Sequence, residues 1–557
     1  MTSRSWAKLR TKRWDIAVIA GFVVFAALVQ LSSWRGLRPY VLLDGDTANI
    51  ATFAAAWQQP ERFVGDAVLG DRVAIQFYVT ALIPLVQGLY PIVGDYGTAF
   101  NVLLGPHVFL YTLGWYLLGR HLLESRRWAL CYALANCVTI QTMSSDYWGL
   151  CGDVMPRLSF QTLLPFLLLV MLRYAGRIRL WPAFMAASGA LLYVHPVSAP
   201  SVAFANLLGL ASCKAVAPSR RWVAFVASGA TFLVIVLPFA LIYGRHHSSG
   251  PVADYASTIA AMRRLQGDEF YDAGIALRHY LSHPFMTLVY AAGAAGLVSV
   301  AKWLPERRAD ARFFAFWLVG LLATTVGVTA VEQSVCARMH RLPFEIDLIR
   351  NLRYAVPVLI LFAVAGVKLL AASVRTGASR IAVLGTACAV LLAWLGLYRA
   401  RTIPLGDELR CLSRGHVICT PESAQRLEEA LLYMKDRLPA DSRILPSVGT
   451  DAAMAVRYVA LQPVLYCDKD RNVITYGAAD RLPAWTRVET AMDAAQSEPT
   501  LALRLAALGE VSRDLGADFL FVDADAPEDA VPSGLRVVHR NSAYSVLKVE
   551  QTPKTDS

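Results

Sequence analysis

Apolar residues fill the first 400 positions of the chain in long blocks, with little strict alternation. Twelve blocks stand out, at roughly 14–33, 74–93, 98–118, 128–143, 158–174, 181–195, 198–213, 222–243, 285–302, 312–330, 353–371 and 381–399. Several approach the ~20 residues a helix needs to cross a bilayer. Backbone inside lipid must satisfy its own hydrogen bonds, which a helix does. The pattern therefore predicts a mainly α, polytopic membrane bundle. Beyond about residue 400 the blocks shorten. Thr420-Pro421-Glu422 reads as an N-cap, a first-turn proline and an acidic start, opening a helix to about Arg437 with Leu427, Leu431 and Met434 at helical spacing. A second helical pattern covers about 499–515, and short apolar runs at 443–445, 463–466, 518–522, 536–538 and 544–548 read as strands. Helices alternating with short strands predict a small soluble α/β domain. The chain then divides into a membrane domain, 1–404, and a C-terminal domain, 405–557.

Charge orients the bundle. Basic clusters occupy alternate loops: Arg4 to Arg13, Arg120/Arg126/Arg127, Arg173/Arg177/Arg179, Lys214/Arg220/Arg221, Lys302/Arg307/Arg308 and Lys368/Arg375/Arg380. The positive-inside rule puts all six in the cytoplasm. Two full crossings between 74 and 118 would invert every later loop, so one segment is expected not to cross alone. The choice falls on 74–93, which Pro84, Gly88 and Pro91 interrupt. About eleven spans result, with the N-terminus cytoplasmic and the C-terminal domain outside. The outer loops fall at about 34–73, 144–157, 195–198, 244–284 and 331–352. The run Ile16 to Leu31 follows Arg10, Lys12 and Arg13 but has no clear small-residue cleavage site, so it reads as an uncleaved first helix.

Composition agrees. Of 557 residues 56% are hydrophobic and 17% charged, against about a quarter charged in soluble proteins. The net charge of +11 is uneven: from Leu405 onward 17 Lys+Arg face 23 Asp+Glu, a net of −6, which leaves +17 on the remainder. Basic excess in short loops reports topology, so nucleic acid is not an expected partner. The Ala- and Arg-rich style suggests a bacterial inner membrane with a periplasmic tail. Nine cysteines show no CxxC pair and no zinc spacing. Cys411 with Cys419 is a candidate disulfide in an oxidising compartment, and Cys151 with Cys336 a weaker one.

The candidate chemistry lies in the outer loops. Leu42-Leu43-Asp44-Gly45-Asp46-Thr47 sets two carboxylates one residue apart, able to converge on a cation or on a hydroxyl to be deprotonated. The plain structural alternative makes Asp46 the N-cap of a helix running to about Gln58. A second acidic loop, Ser144 to Asp153, carries Asp146 and Asp153 around Tyr147-Trp148. Those rings fit either stacking on a sugar or an interfacial aromatic belt.

With many helices, a long acidic first outer loop, a second acidic outer loop and an outer C-terminal domain, the chain resembles the GT-C superfamily of integral membrane glycosyltransferases. The resemblance maps that family's first-loop acids onto Asp44 and Asp46 as catalytic residues, and its second-loop acid onto Asp146 or Asp153. No WWDYG-like oligosaccharyltransferase signature is present. The Asp-Glu pair of protein mannosyltransferases is replaced by Asp44-Gly45-Asp46, so subfamily and acceptor stay open. The resemblance implies inverting transfer of a sugar from a polyprenyl-phosphate donor to an extracytoplasmic glycan, lipid or protein. A divalent cation, Mg or Mn, is possible, and many members work without one.

Transfer from a polyprenyl phosphate needs a base for the acceptor and cations for the departing phosphate. Arg350 and Arg353 lie three apart before the helix starting near 353, and Arg157 starts another helix at its outer end. Arginine suits bidentate phosphate contacts, the alternative being side chains that snorkel to water. His195-Pro196 sits at the outer end of a helix, able to touch phosphate or sugar, or simply half-buried in a proline turn. Arg263 and Arg264 are weaker phosphate candidates, and His246-His247 has no third ligand nearby for a metal. Val456-Arg457-Tyr458, Asp468 to Arg471 and Trp485-Thr486-Arg487 read mainly as solvated surface, or as contacts to an acceptor or the membrane domain. A lipid-linked-sugar transporter or flippase and a non-catalytic scaffold with an outer binding domain are the alternative functions. A transporter concentrates charge near the midplane of its helices, whereas here the acids sit in outer loops.

Overall fold

The computed structural model describes residues 3–550 except 34–42, 44, 77, 143–144, 151–153, 215–216, 247–253, 268–271, 344–346 and 374–421. The expected span at 381–399, Cys411 and Cys419, Thr420-Pro421, Cys151, His247 and the acids Asp44 and Asp153 lie outside the described residues.

The membrane part contains α1 (Ser3–Ser33), α2 (Gly45–Gln58), α3 (Arg72–Ile75), α4 (Leu82–Val93), α5 (Tyr96–Leu123), α6 (Arg126–Cys137), α7 (Pro156–Tyr174) and α8 (Trp181–Ala190). It continues with α9 (Ala199–Ala211), α10 (Pro218–His246), α11 (Tyr255–Gln266), α12 (Ala273–Ser282), α13 (Pro284–Trp303), α14 (Arg308–Leu322), α15 (Thr329–Met339) and α16 (Ala355–Ser373). Among the described residues, six stretches are long and apolar enough to cross a bilayer: Trp14–Leu31, Tyr96–Leu123, Pro218–Arg245, Met286–Trp303, Pro305–Met339 and Leu348–Ser373. Many of their apolar side chains point away from the protein, among them Val23, Val24 and Leu28 on α1 and Val223, Leu233, Val234 and Leu237 on α10. Lipid covers such faces without cost, whereas water would not. The chain is a multi-pass membrane protein.

Hydrogen bonds and ion pairs sort the loops into two ends. At one, Arg126 pairs with Asp15 near the start of α1 through Nε at 2.6 Å and Nη2 at 2.9 Å. Arg307 contacts Glu124, and Lys368 Nζ donates to the Leu123 carbonyl at 2.6 Å. His121 there lies within electrostatic reach of Arg173. Members of four predicted cytoplasmic clusters thus share one end.

The segment 72–95 belongs to the other end. Asp71, just before it, pairs with Arg481 of the tail, and Thr80 Oγ1 donates to the Val194 carbonyl at 2.9 Å. Just past it, the Tyr96 hydroxyl donates to Gln58 Oε1 at 2.9 Å at the end of α2. Its helix α4 has 12 residues, about 18 Å, short of a ~30 Å hydrocarbon core. The segment starts and finishes at the same end of the bundle.

Two expected boundaries move. The 128–143 block is helical only to Cys137, then turns into a hairpin of β1 (Ile140–Thr142) and β2 (Ser145–Trp148). Non-helical backbone at that depth needs protein partners. The Tyr111 hydroxyl donates to the Asn136 carbonyl at 2.7 Å, and the Leu150 N–H to the Cys137 carbonyl at 3.3 Å. The helix containing 312–330 continues through a π-helical turn, Ala323–Val328, to Met339, so the outer loop expected from 331 begins later.

Helices α13 and α16 approach most closely at glycine. A Cβ on Gly296 would lie 1.9 Å from the Phe362 carbonyl oxygen, and Gly366 faces Gly296 at 3.3 Å by the same measure. Small residues admit this spacing, which packs backbone against backbone.

The tail holds β3 (Ile444–Ser447), β4 (Phe519–Val522), β5 (Leu535–Arg540) and β6 (Ser545–Val549), a four-stranded mixed sheet in the order β3-β4-β6-β5. β3 and β4 are parallel and the other pairs antiparallel. The expected strand at 463–466 is a single bridge, Ile444 to Val464. The helices Glu422–Arg437 and Leu501–Asp514 agree with the sequence pattern.

Candidate active site

Five of the expected site residues, Asp46, Arg157, His195, Arg350 and Arg353, come within electrostatic reach of one another where the bundle touches the tail. α2 begins at Gly45, which has φ +49 and no atom near its missing Cβ. Asp46 therefore sits in the first turn of the helix and is not its N-cap, while the helix ends at Gln58 as expected. Its half-exposed carboxylate accepts an ion pair from Lys469 Nζ at 2.9 Å. The Lys469 ammonium, with Arg157 and Arg350 behind it, holds the Asp46 carboxyl well below the usual carboxylate range.

Arg350 and Arg353 lie on a 3-10 turn, Leu348–Tyr354, which brings residues three apart onto one side. Arg350 Nη1 reaches both Asp347 carboxylate oxygens at 3.3 Å. Arg353 is 4% exposed, so it does not snorkel to water. Its Nε donates to the Arg350 carbonyl at 2.7 Å, and its guanidinium lies over the Tyr147 ring at 5.7 Å. Arg353 Nη1 is buried and meets no acceptor among the described residues. Arg157 is also buried, with Nη2 against the weak acceptor Met155 Sδ at 3.0 Å.

His195 faces these cations. It lies within reach of Arg157, Arg350, Arg353 and Asp46. Its ring is half-buried, and Nδ1 shares a hydrogen bond of 2.7 Å with Ser198 Oγ. Ser198 also accepts from the Tyr354 hydroxyl at 2.7 Å and donates to Asn351 Oδ1 at 3.2 Å. The network ties the proline turn to the arginine-bearing segment.

Tyr147 and Trp148 are neither an exposed belt nor a sugar platform. Both are buried, Tyr147 against Tyr280 at 4.8 Å and Trp148 between Trp115 and Tyr354. Tyr147 lies beneath the Arg353 guanidinium. Asp146 pairs through its backbone with Gln141 in the hairpin, next to Tyr147. Arg263 and Arg264 are exposed on α11, with Arg264 3.8 Å from Glu489 of the tail. Among the described residues no three His, Cys, Asp or Glu side chains gather to hold a metal.

Of the tail segments expected at the surface, Val456-Arg457-Tyr458 is buried, as are Asp470 and Trp485, while Asp468, Lys469, Arg471 and Thr486 are half-buried and Arg487 is exposed. Arg457 is 1% exposed and clamps two carboxylates, Asp66 through Nε at 2.7 Å and Nη2 at 2.9 Å, and Asp470 through Nη1 at 2.5 Å and Nη2 at 3.0 Å. Asp66 Oδ1 accepts from the Val68 and Leu69 N–H groups, and Oδ2 from Val464 N–H, each at 2.9 Å. A surface position would not have supplied this many partners. Trp485 is likewise buried, stacked on Tyr466 at 5.4 Å. Lys469, in the run Asp468 to Arg471 read mainly as solvated surface, instead pairs with Asp46. It lies in a charged run typical of solvated loops, and its partner Asp46 is far away in the chain.

Among the described side chains the cluster carries four cations, Arg157, Arg350, Arg353 and Lys469, against two carboxylates, Asp46 and Asp347, a net of 4 − 2 = +2. Such a group can take a dianion and still present a carboxylate to a neighbouring hydroxyl.

No known protein family profile matches the chain, and no curated protein does. Among solved structures, the chain is similar to the crystal structure of ArnT from Cupriavidus metallidurans bound to undecaprenyl phosphate. The two are 14% identical, with a TM-score of 0.42 over 98% of each chain. A likeness of that degree says nothing about the residues of a site.

Proposed function

We propose that the protein is a membrane glycosyltransferase that moves a sugar from a polyprenyl-phosphate donor to an extracytoplasmic acceptor with inversion. The observation that carries this reading is Arg353, buried beside Arg157 and Arg350 with Nη1 lacking an acceptor among the described residues. A buried cation without a partner costs several kcal/mol, on the order of 3–5 when a pair is broken. An anion seated there removes that cost. The cluster lies at one end of the apolar bundle, the depth of a lipid headgroup, which favours a phosphate carried on a lipid. A transporter would concentrate its charges nearer the midplane.

In this reading the arginines bind the donor phosphate and take up the charge that grows as the sugar–phosphate C–O bond breaks. The acceptor hydroxyl oxygen attacks the anomeric carbon from the opposite face and loses its proton to a carboxylate. The products are the glycoside and polyprenyl phosphate. Asp46, held in its ionised form by Lys469, is a weak base and serves to orient the acceptor. Asp44 takes the proton.

The test compares surface glycans by mass spectrometry in a deletion strain, alone or carrying wild type, Asp44→Asn or Asp46→Asn at matched membrane levels. Loss of one sugar on deletion, restored by wild type but not by Asp44→Asn, supports the reading. Full restoration by both variants refutes it.

A further inference from the structure

We propose that the tail domain is a working part of this site: Tyr458, Asp451 and Lys469 are positioning residues that hold the first turn of α2, at Gly45 and Asp46, and Leu43 before it. The inference rests on the reading of that turn as catalytic.

The contacts bracket the acidic motif. The Leu43 N–H donates to the Tyr458 hydroxyl at 2.8 Å, and the Gly45 N–H to Asp451 Oδ1 at 3.4 Å. These two amides flank Asp44 in the sequence. Lys469 then fixes the Asp46 carboxylate at 2.9 Å. Tyr458 and Asp451 come from one helix, Thr450–Tyr458, which packs along α2. The same helix supplies Arg457, whose guanidinium holds Asp66 beyond the other end of α2. One tail helix therefore grips the first loop on both sides of α2.

The arrangement is hard to explain as simple docking. Docking needs complementary surface, and the clamp of Arg457 with the bond from Ala67 N–H to the Val464 carbonyl at 3.1 Å supplies that. The Tyr458, Asp451 and Lys469 contacts fall instead on Leu43, Gly45 and Asp46, within the acidic motif. Gly45 needs them, because a left-handed glycine turn has the most conformational freedom of any residue and stays put only when held. Without the tail, the turn would sample many geometries, and an acceptor hydroxyl would meet the carboxylate in the right place less often.

The experiment uses the full-length protein in detergent micelles and follows hydrogen–deuterium exchange of the peptide covering Leu43 to Asp46. Tyr458→Phe removes only the hydroxyl and should speed exchange there about tenfold, the size of one ordinary hydrogen bond. Lys469→Gln should do the same at Asp46, and Lys469→Arg should restore protection. Arg481→Ala, which removes the pair with Asp71 outside the turn, should leave it unchanged. Unaltered exchange in both Tyr458→Phe and Lys469→Gln overturns the proposal. The same variants are then assayed for the surface sugar. Faster exchange with a fully restored sugar also overturns it, because the hold would not serve the chemistry. Faster exchange with a reduced sugar, recovered by Lys469→Arg, supports it. Failure of the transferase reading shows separately, as full restoration by both Asp44→Asn and Asp46→Asn.

Discussion

Arg457→Met is the most informative single change to the interface between tail and bundle. The substitution keeps the volume and apolar stem of the side chain but deletes four charge-assisted hydrogen bonds, two to Asp66 and two to Asp470. Both carboxylates are almost fully shielded, at 0% and 2% side-chain exposure. Removing one member of such a buried group costs about 3–5 kcal/mol, because the remaining charges have no counterion. At 1.4 kcal/mol per tenfold, local opening of the interface should become roughly 100- to 3,000-fold more frequent. Hydrogen exchange of Val464 and of Val68 and Leu69, whose amides bond Asp66, reads that opening directly. Asp470→Asn alone should cost less, since Arg457 keeps Asp66. In combination with Arg457→Met it should recover part of the loss, with a coupling of about 1–3 kcal/mol. Exchange within threefold of wild type in Arg457→Met would refute the claim that this group holds the tail to the first loop.

Four further outcomes are expected. Arg353→Ala should weaken binding of a short-chain polyprenyl phosphate by about 10- to 100-fold, consistent with loss of a charge-assisted bond; equal affinity by titration calorimetry removes Arg353 from the donor site. Gly296→Ala should lower the thermal midpoint of the purified protein, because its Cβ would strike backbone at 1.9 Å and overpacking of this kind costs about 1–3 kcal/mol. Gly21→Ala, with nothing within 4 Å, should be neutral or slightly stabilising, by up to about 1 kcal/mol of helix propensity. The pH response of the Asp46–Lys469 pair follows from the sign of the shift. Asp46 is depressed below its unfolded value, so its contribution is complete above about pH 4 and fades only as the pH falls through the depressed range. Protection of the first turn of α2, corrected for intrinsic rates, should be flat from pH 5 to 8, and Lys469→Gln should move the acid loss back toward the ordinary carboxylate range. Arg157, Arg350 and the Tyr78 hydroxyl also face Asp46 and set the remainder.

What the sequence settled by itself was the one-dimensional part of the problem. Block length and charge-poor composition made the bundle legible, since a bilayer fixes how many apolar residues a helix must carry. Basic loops marked one end, and the structure gathers Arg126, Arg307 and Lys368 there. Two of the tail helices, Glu422–Arg437 and Leu501–Asp514, and four of the five strands were readable from their local periods, whereas the helices Thr450–Tyr458, Asp470–Gly477 and Leu482–Gln496 were not. The site was partly legible: Asp46, Arg157, His195, Arg350 and Arg353 were each singled out by residue type and position in a loop, and they come within electrostatic reach of one another. Tertiary structure alone decided the partners. Arg457, Lys469 and Asp470 sit in charged runs that look solvated, and only the approach of the first loop buries Arg457 and Asp470 and pairs Lys469 with Asp46. Tyr147 and Trp148 fitted either sugar stacking or an interfacial belt, whereas the structure turns them into the core. Charge and aromaticity are local properties of a sequence, but burial belongs to the surface that arrives from elsewhere in the chain, and no local pattern announces it.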